Sequence, residues 1–231
     1  MKSRALFLDR DGTLVHPVHY PSRPEELQLY ANLGPALRAL QEMGFLLILI
    51  TNQSGLAKGY FTAADLQDMH AYLRAELLRV DVKLAGIYYC PHHPEGVIPK
   101  LAVDCTCRKP QPGLLLQAAA ELDIDLAHSW FIGDILDDVE AGKRAGCRTV
   151  LVDLGTEGAP EHSLRQPDFV ARNTLHALSI VRAIEQFQTS IEVFMNMLEA
   201  AQPPIELFYQ PLTWQKSLSP NTQKSGGVSY D

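Results

Sequence analysis

Short apolar runs of β type alternate along the chain with amphipathic stretches of helical period. Ala5 to Leu8 is followed by GPALRALQEM (34–43), Phe45 to Ile50 by Ala63 to Val80, and Gly86 to Tyr89 by Gly113 to Leu122. Trp130 to Ile132, Asp137 to Ala145, Thr149 to Val152 and a weaker run at Asp168 to Ala171 complete the series. Strands alternating with helices predict βαβ crossovers and a central parallel sheet, an α/β fold. Thr62 followed by Asp65 is a capping-box pattern that starts the second helix.

In such a sheet the ligand cleft lies beyond the carboxyl ends of the strands, and there the polar clusters fall. Asp9 and Asp11 close the first run, Thr51 and Asn52 the second, Cys90 and His92 the third, and Gly133 and Asp134 the fourth. Four separate segments thus deliver reactive groups to one edge.

From about residue 185 the pattern changes. Leu178, Val181, Ile184, Phe187, Ile191, Phe194 and Leu198 follow a helical period, then come Pro203-Pro204, IELFYQPLTW and a Ser/Gly/Asn-rich tail. The reading is a catalytic domain over 1–184 and a C-terminal extension over 185–231, a helix whose apolar face packs on the core or on another subunit, then a disordered tail. A monomer or homodimer is expected.

Composition narrows the partners. A formal charge of -7 offers no basic field for nucleic acid or an anionic membrane, so any phosphate chemistry must rest on a few local cations or a metal. The longest apolar run, FLLILIT at 45–51, is far short of the roughly 20 residues of a membrane helix, and MKSRALFLDRD has no leader pattern. Three of the four cysteines lie between 90 and 107 among histidines, which suits metal ligation in a reducing compartment, so cytoplasm is expected.

Alternation along an extended chain places Asp9 and Asp11 on one side and turns Arg10 to the other. Two carboxylates so placed can act as nucleophile and as general acid and base, although a lone DxD also serves to cap a turn. TNQSG (51–55) can bind phosphate oxygens or simply satisfy its own turn. A phosphate beside Asp9 meets repulsion of about 4 kcal/mol per charge pair at ~4 Å and an effective dielectric near ~20, so a cation is required. Asp9, Asp134 and a backbone carbonyl suit magnesium, with Lys109 as a second positive charge and Asp138, a helical turn beyond Asp134, orienting the set.

Cys90, His92, Cys105 and Cys107 form two pairs of spacing one separated by 12 residues, a Cys₃His set for tetrahedral zinc with no open position. His93 is the alternative to His92. A filled site of this kind is structural, and it would fold the loop over 88–110 so that Arg108 and Lys109 project into the cleft. Cys147 starts a strand and reads as buried.

Taken in order, LDRDGT, TNQSG, CRKPQPG and GDILDD resemble the four motifs of the haloacid dehalogenase (HAD) superfamily of phosphohydrolases. The Arg between the aspartates, with CPHH and CTCRKP, narrows the resemblance to the branch of heptose-bisphosphate and histidinol-phosphate phosphatases, over residues 4 to 183. The resemblance implies a three-layer Rossmann-like fold with no large cap domain. It implies that Asp9 attacks phosphorus, that Asp11 protonates the leaving oxygen and then activates water, and that magnesium sits on Asp9, the Asp11 carbonyl and Asp134. It also implies that Thr51 and Lys109 steady the phosphoryl group and that Arg108 contacts a distal phosphate. Arg10, Gly12, Tyr20, Asn52, Gln53 and Ser54 join the substrate-binding set.

Two departures stand out. Heptose phosphatases of the branch carry Asp-His-Gly-Tyr after the first motif, where this chain reads Pro17-Val18-His19-Tyr20, and a Lys where it has Ile135. The expected substrate is a sugar phosphate, foremost D-glycero-D-manno-heptose 1,7-bisphosphate at its 7-phosphate, with histidinol phosphate or another small phosphomonoester as the alternative. A phosphoaspartate receiver domain would want its aspartate after the third strand, where Tyr89-Cys90 stand. A non-catalytic binding protein would not need every motif residue intact.

Overall fold

A computed structural model describes residues 2–201. Six strands form one parallel sheet: β1 Arg4–Leu8, β2 Phe45–Asn52, β3 Leu84–Cys90, β4 Trp130–Gly133, β5 Arg148–Val152 and β6 Phe169–Ala171. Their order is β3-β2-β1-β4-β5-β6. The helices are α1 Leu33–Glu42, α2 Ala63–Leu78, α3 Gly113–Leu122, α4 Leu136–Ala145 and α5 Thr174–Ala201. The predicted strands and first four helices are present with ends displaced by at most two residues, and the last helix begins at Thr174, four residues ahead of the pattern that starts at Leu178.

Alternation along the strands builds three layers. Leu6, Leu8, Leu47, Leu49, Trp130 and Ile132 point to one face, where they meet Leu37 and Leu40 of α1, Leu66 and Leu73 of α2, and Leu178 and Val181 of α5. Ala5, Phe7, Ile48, Ile50 and Phe131 point to the other and meet Leu114, Leu115 and Ala118 of α3 with Ala141 and Ala145 of α4. Strands covered on both faces are apolar at nearly every position, as β2 is. Among the described residues no cap domain interrupts the order: residues 9–32 contain one 3-10 turn, Pro24–Glu26, and the stretch between β3 and α3 is the cysteine-bearing loop.

The chain divides into two compact units, Met1–Gln188 and Thr189–Asp231. In the first, Glu185 accepts hydrogen bonds from Arg4 Nη1 (2.6 Å) and Trp130 Nε1 (2.8 Å), tying the middle of α5 to the beginnings of β1 and β4. Four residues that the sequence reading assigns to the extension therefore belong to the first unit. In the described part of the second, Ile191, Phe194, Met197 and Leu198 are exposed. The apolar segment IELFYQPLTW and the tail lie outside the described residues. No described helix is long and apolar enough to cross a membrane.

Candidate active site

The strand order reverses at β1, whose successor β2 lies on one side and β4 on the other. That switch point opens a crevice at the carboxyl ends of the strands. Asp9 follows β1 and is fixed by its N–H to the Ile132 carbonyl of β4 (3.0 Å), while Asp134 follows β4 and Asp138 lies in the first turn of α4. Carboxylate oxygens of all three buried aspartates lie within 4.8 Å of one another. Lys109 Nζ enters from the loop before α3 and lies 2.6 Å from Asp9 Oδ1, 2.5 Å from Asp138 Oδ1 and 3.3 Å from the Ile50 carbonyl.

Three buried carboxylates thus face one ammonium. The carboxylates hold Lys109 above its usual pKa despite complete burial, while desolvation raises Asp138 against the pull of Lys109. Asp134, which has no lysine partner, is pushed up to about 8 by desolvation and by its neighbours Asp9 and Asp138. Excess negative charge confined this way, with oxygen donors only, fits a hard divalent cation such as magnesium. The glycine of the first motif keeps the space open: Gly12 has φ +79°, and a Cβ there would collide with the Asp134 carboxylate.

The structure corrects the expected direction of Arg10. Its guanidinium is 1% exposed and grips Asp11 Oδ2 through Nε (3.0 Å) and Nη2 (2.8 Å). Alternation does not extend that far because β1 ends at Leu8, and the following turn bonds Leu14 N and Val15 N to the Arg10 carbonyl. Burial raises the Asp11 carboxyl, Arg10 pulls it down, and Asp9 adds to the rise.

Thr51 is buried at the end of β2 and its hydroxyl accepts from Gln53 Nε2 at 2.7 Å. Asn52 ties two motifs together, its Nδ2 donating to the Lys109 carbonyl and its Oδ1 accepting from Lys109 N, each at 3.1 Å. Beside these residues a cavity of about 220 Å³ is lined by Arg10, Asp11, Val18, His19, Tyr20, Asn52, Gln53 and Ser54. Tyr20, at φ 50°, packs against Tyr60 with ring centroids 4.6 Å apart and planes tilted by 60°, and its hydroxyl accepts from Lys58 Nζ at 2.8 Å. Lys58 escaped sequence reasoning because a lone cation in a loop carries no spacing signal. Arg108 lines a neighbouring depression of about 450 Å³ with His93, Lys109, Gln111 and Asp137, and its buried Nη1 has no partner.

The cysteine loop closes on itself. Cys107 Sγ lies 3.2 Å from Cys90 Sγ, 3.3 Å from Cys105 Sγ and 3.3 Å from His92 Nδ1. Cys90 and Cys105 are 3.5 Å apart, and all four cysteines are free. These edges approach the ~3.7 Å of a tetrahedron with ~2.3 Å zinc–sulfur bonds, so the set is compatible with zinc. Of the two histidines His92 completes it, whereas His93 Nδ1 accepts from Glu95 N. Cys147 is buried and raised to about 12, as an inert core thiol is.

A second residue that sequence reasoning missed acts electrostatically with Arg10. His70 of α2 is 9% exposed, its Nε2 has no partner, and desolvation followed by Arg10 lowers it to about 4. Its native pKa lies below the ordinary value of 6.5, so the unfolded chain takes the proton first. The stability it contributes is present above pH 6.5 and is lost as pH falls toward 4. Between pH 7 and 4 the wild type is expected to lose about 3 kcal/mol more than His70→Gln in urea unfolding. Equal losses would contradict a buried neutral imidazole.

Comparison with known proteins agrees with this geometry. Residues 106–177 match the Hydrolase_like family model, described as HAD-hydrolase-like. The chain is 43% identical over 158 residues to D-glycero-beta-D-manno-heptose-1,7-bisphosphate 7-phosphatase of Escherichia coli (strain K12), covering 68% of this chain and 83% of that one. It is 40% identical over 183 residues to the protein of the same name from Pasteurella multocida (strain Pm70), covering 79% and 98%. Among solved structures, D,D-heptose 1,7-bisphosphate phosphatase from B. bronchiseptica, complexed with magnesium and phosphate, superposes with TM-score 0.66 at 29% identity, covering 78% of this chain and 98% of that one. A candidate HAD-like phosphatase from Mesorhizobium loti gives 0.70 at 36%, covering 80% and 87%. With 40% and 43% identity to these two relatives over most of their length and the same overall fold in the solved structures, the chain belongs to the HAD-like phosphatase family.

Proposed function

We propose that the protein hydrolyses a sugar phosphate through an aspartyl-phosphate intermediate, with the 7-phosphate of D-glycero-D-manno-heptose 1,7-bisphosphate as the leading substrate. The carrying observation is the convergence of Asp9, Asp134, Asp138 and Lys109 from separate elements at the switch point of the sheet. The names of the relatives at 40% and 43% identity supply the substrate.

An Asp9 carboxylate oxygen forms a bond to phosphorus while the ester P–O bond breaks, its electron pair staying on the departing sugar oxygen. Asp11 gives that oxygen a proton. Water then attacks phosphorus, its proton passes to Asp11, and the aspartyl P–O bond breaks to restore Asp9 and release phosphate. Thr51 and Lys109 hold the phosphoryl oxygens, and Lys109 stays charged throughout. Asp9, Asp134 and the Asp11 carbonyl would hold magnesium, which when bound neutralises phosphate charge. Arg10, Gly12, Tyr20 and Asn52 to Ser54 shape the sugar pocket, and Arg108 faces the second phosphate.

The test is a panel of heptose bisphosphate, simple sugar monophosphates and histidinol phosphate. Heptose bisphosphate should give a kcat/KM at least about tenfold above the rest, a difference of ~1.4 kcal/mol in transition-state binding. No preference over simple monophosphates removes the substrate assignment; preference for histidinol phosphate replaces it.

Cys90, His92, Cys105 and Cys107 would hold zinc as a closed structural site. Chelation is expected to release one zinc per chain and to cut activity by way of loop disorder, because Asn52 then loses its fixed partner at Lys109. Protease susceptibility between 90 and 107 should rise in parallel with the loss. Gently purified protein free of stoichiometric zinc would sink this assignment.

A further inference from the structure

We infer that Arg10 is the positioning residue for Asp11, a fixed cation that aims the proton-carrying carboxyl at the leaving oxygen. The inference rests on the reading of Asp11 as proton donor given above. Both ends of Arg10 are immobilised: its carbonyl accepts from Leu14 N and Val15 N, each at 2.9 Å, and its side chain is 1% exposed. Two of its nitrogens converge on a single oxygen, Asp11 Oδ2, at 3.0 and 2.8 Å. That leaves Oδ1 of the same carboxyl buried and without a partner, on a residue that itself lines the cavity.

An aspartate on a turn has two rotatable side-chain bonds and two equivalent oxygens. A planar guanidinium engaged through adjacent nitrogens removes that freedom and distinguishes the oxygens, one bound and one unpartnered. Lysine, a point donor on a flexible stem, cannot reproduce this. On α2 the nearby His70 Nε2 makes no hydrogen bond to the carboxyl.

A group that acts through a proton donor matters most where the departing oxygen needs the proton. Single-turnover release of the alcohol or phenol, which precedes hydrolysis of the aspartyl phosphate, should therefore be measured for a primary alkyl phosphate and for p-nitrophenyl phosphate, whose phenolate leaves unprotonated. Arg10→Met is expected to slow the alkyl ester about 100-fold and p-nitrophenyl phosphate less than about fivefold, since positioned proton transfer supplies ~10²–10⁴-fold. Arg10→Lys, which keeps the charge in the buried site if the methionine variant fails to fold, should show the same dependence with a smaller loss. In an Asp11→Ala background either change should add less than about threefold, because residues acting as one unit are not additive.

Equal slowing of both esters by the Arg10 variants, or a full further loss in the Asp11→Ala background, overturns the inference while leaving Asp11 as donor. Equal slowing of both esters by Asp11→Ala alone overturns the donor reading, and the Arg10 inference with it.

Discussion

Asp9→Asn will lower phosphate release by at least about 10⁴-fold while leaving the fold intact. The substitution is isosteric, so the amide can still accept from Lys109 and the backbone bond of residue 9 to Ile132 is unaffected. What disappears is an anionic oxygen able to bond phosphorus, and losses of that size follow removal of a covalent nucleophile. Stability should move the other way. Asp9 is the largest charge contribution to the raised Asp134, so removing it relieves repulsion in the metal-free protein, and urea unfolding at pH 7 should show no loss. Near-normal release by a variant confirmed by mass would remove Asp9 as nucleophile.

Lys109→Met carries the second large effect, and it separates catalysis from folding. Among the described residues the lysine is the one ammonium paired with Asp9 and Asp138, so its loss leaves three carboxylates facing each other in a buried site. Breaking a buried pair on one side costs roughly 3–5 kcal/mol. Carboxylates whose native pKa is raised bind more protons folded than unfolded, so the deficit should grow as pH rises and shrink toward pH 5, where the group is protonated. Urea unfolding at pH 5 and pH 8 measures the difference; a deficit of equal size at both would argue against charge repulsion. A divalent cation should restore part of the loss at pH 8 by binding only the folded state. The rate should fall at least about 10³-fold even with metal present, because a preorganised cation on the phosphoryl oxygens is missing.

The sheet was legible because its strands are buried on both faces, which makes β2 an unbroken apolar run and puts polar residues abruptly at its end. Asp9 and Asp134 were legible for the same reason, a rigid mount followed by a reactive group, whereas Lys109, on the loop before α3, was legible through the need for a cation and the CRKP motif. Arg10 was misdirected because strand alternation was carried one turn past Leu8, where the backbone already coils. Two further residues left faint traces. His70 falls on the apolar stripe of α2 with Leu66, Met69, Leu73 and Leu77, a polar side chain at a core position. Glu185 falls in line with Leu178 and Val181 in the same way. Lys58 and the partition of Arg108 into its own depression depend on how two loops fold against each other, which no local period encodes.

The Glu185 bridge also sets the shortest chain that should stand by itself. A protein ending at Ile184 would leave the indole N–H of Trp130 buried without an acceptor and Arg4 without its carboxylate, at a cost of ~1–3 kcal/mol for the buried donor alone. One ending at Gln188 keeps both. The first four residues past the apparent end of the domain thus act as its fastener, and trimming by sequence pattern would remove the wrong piece.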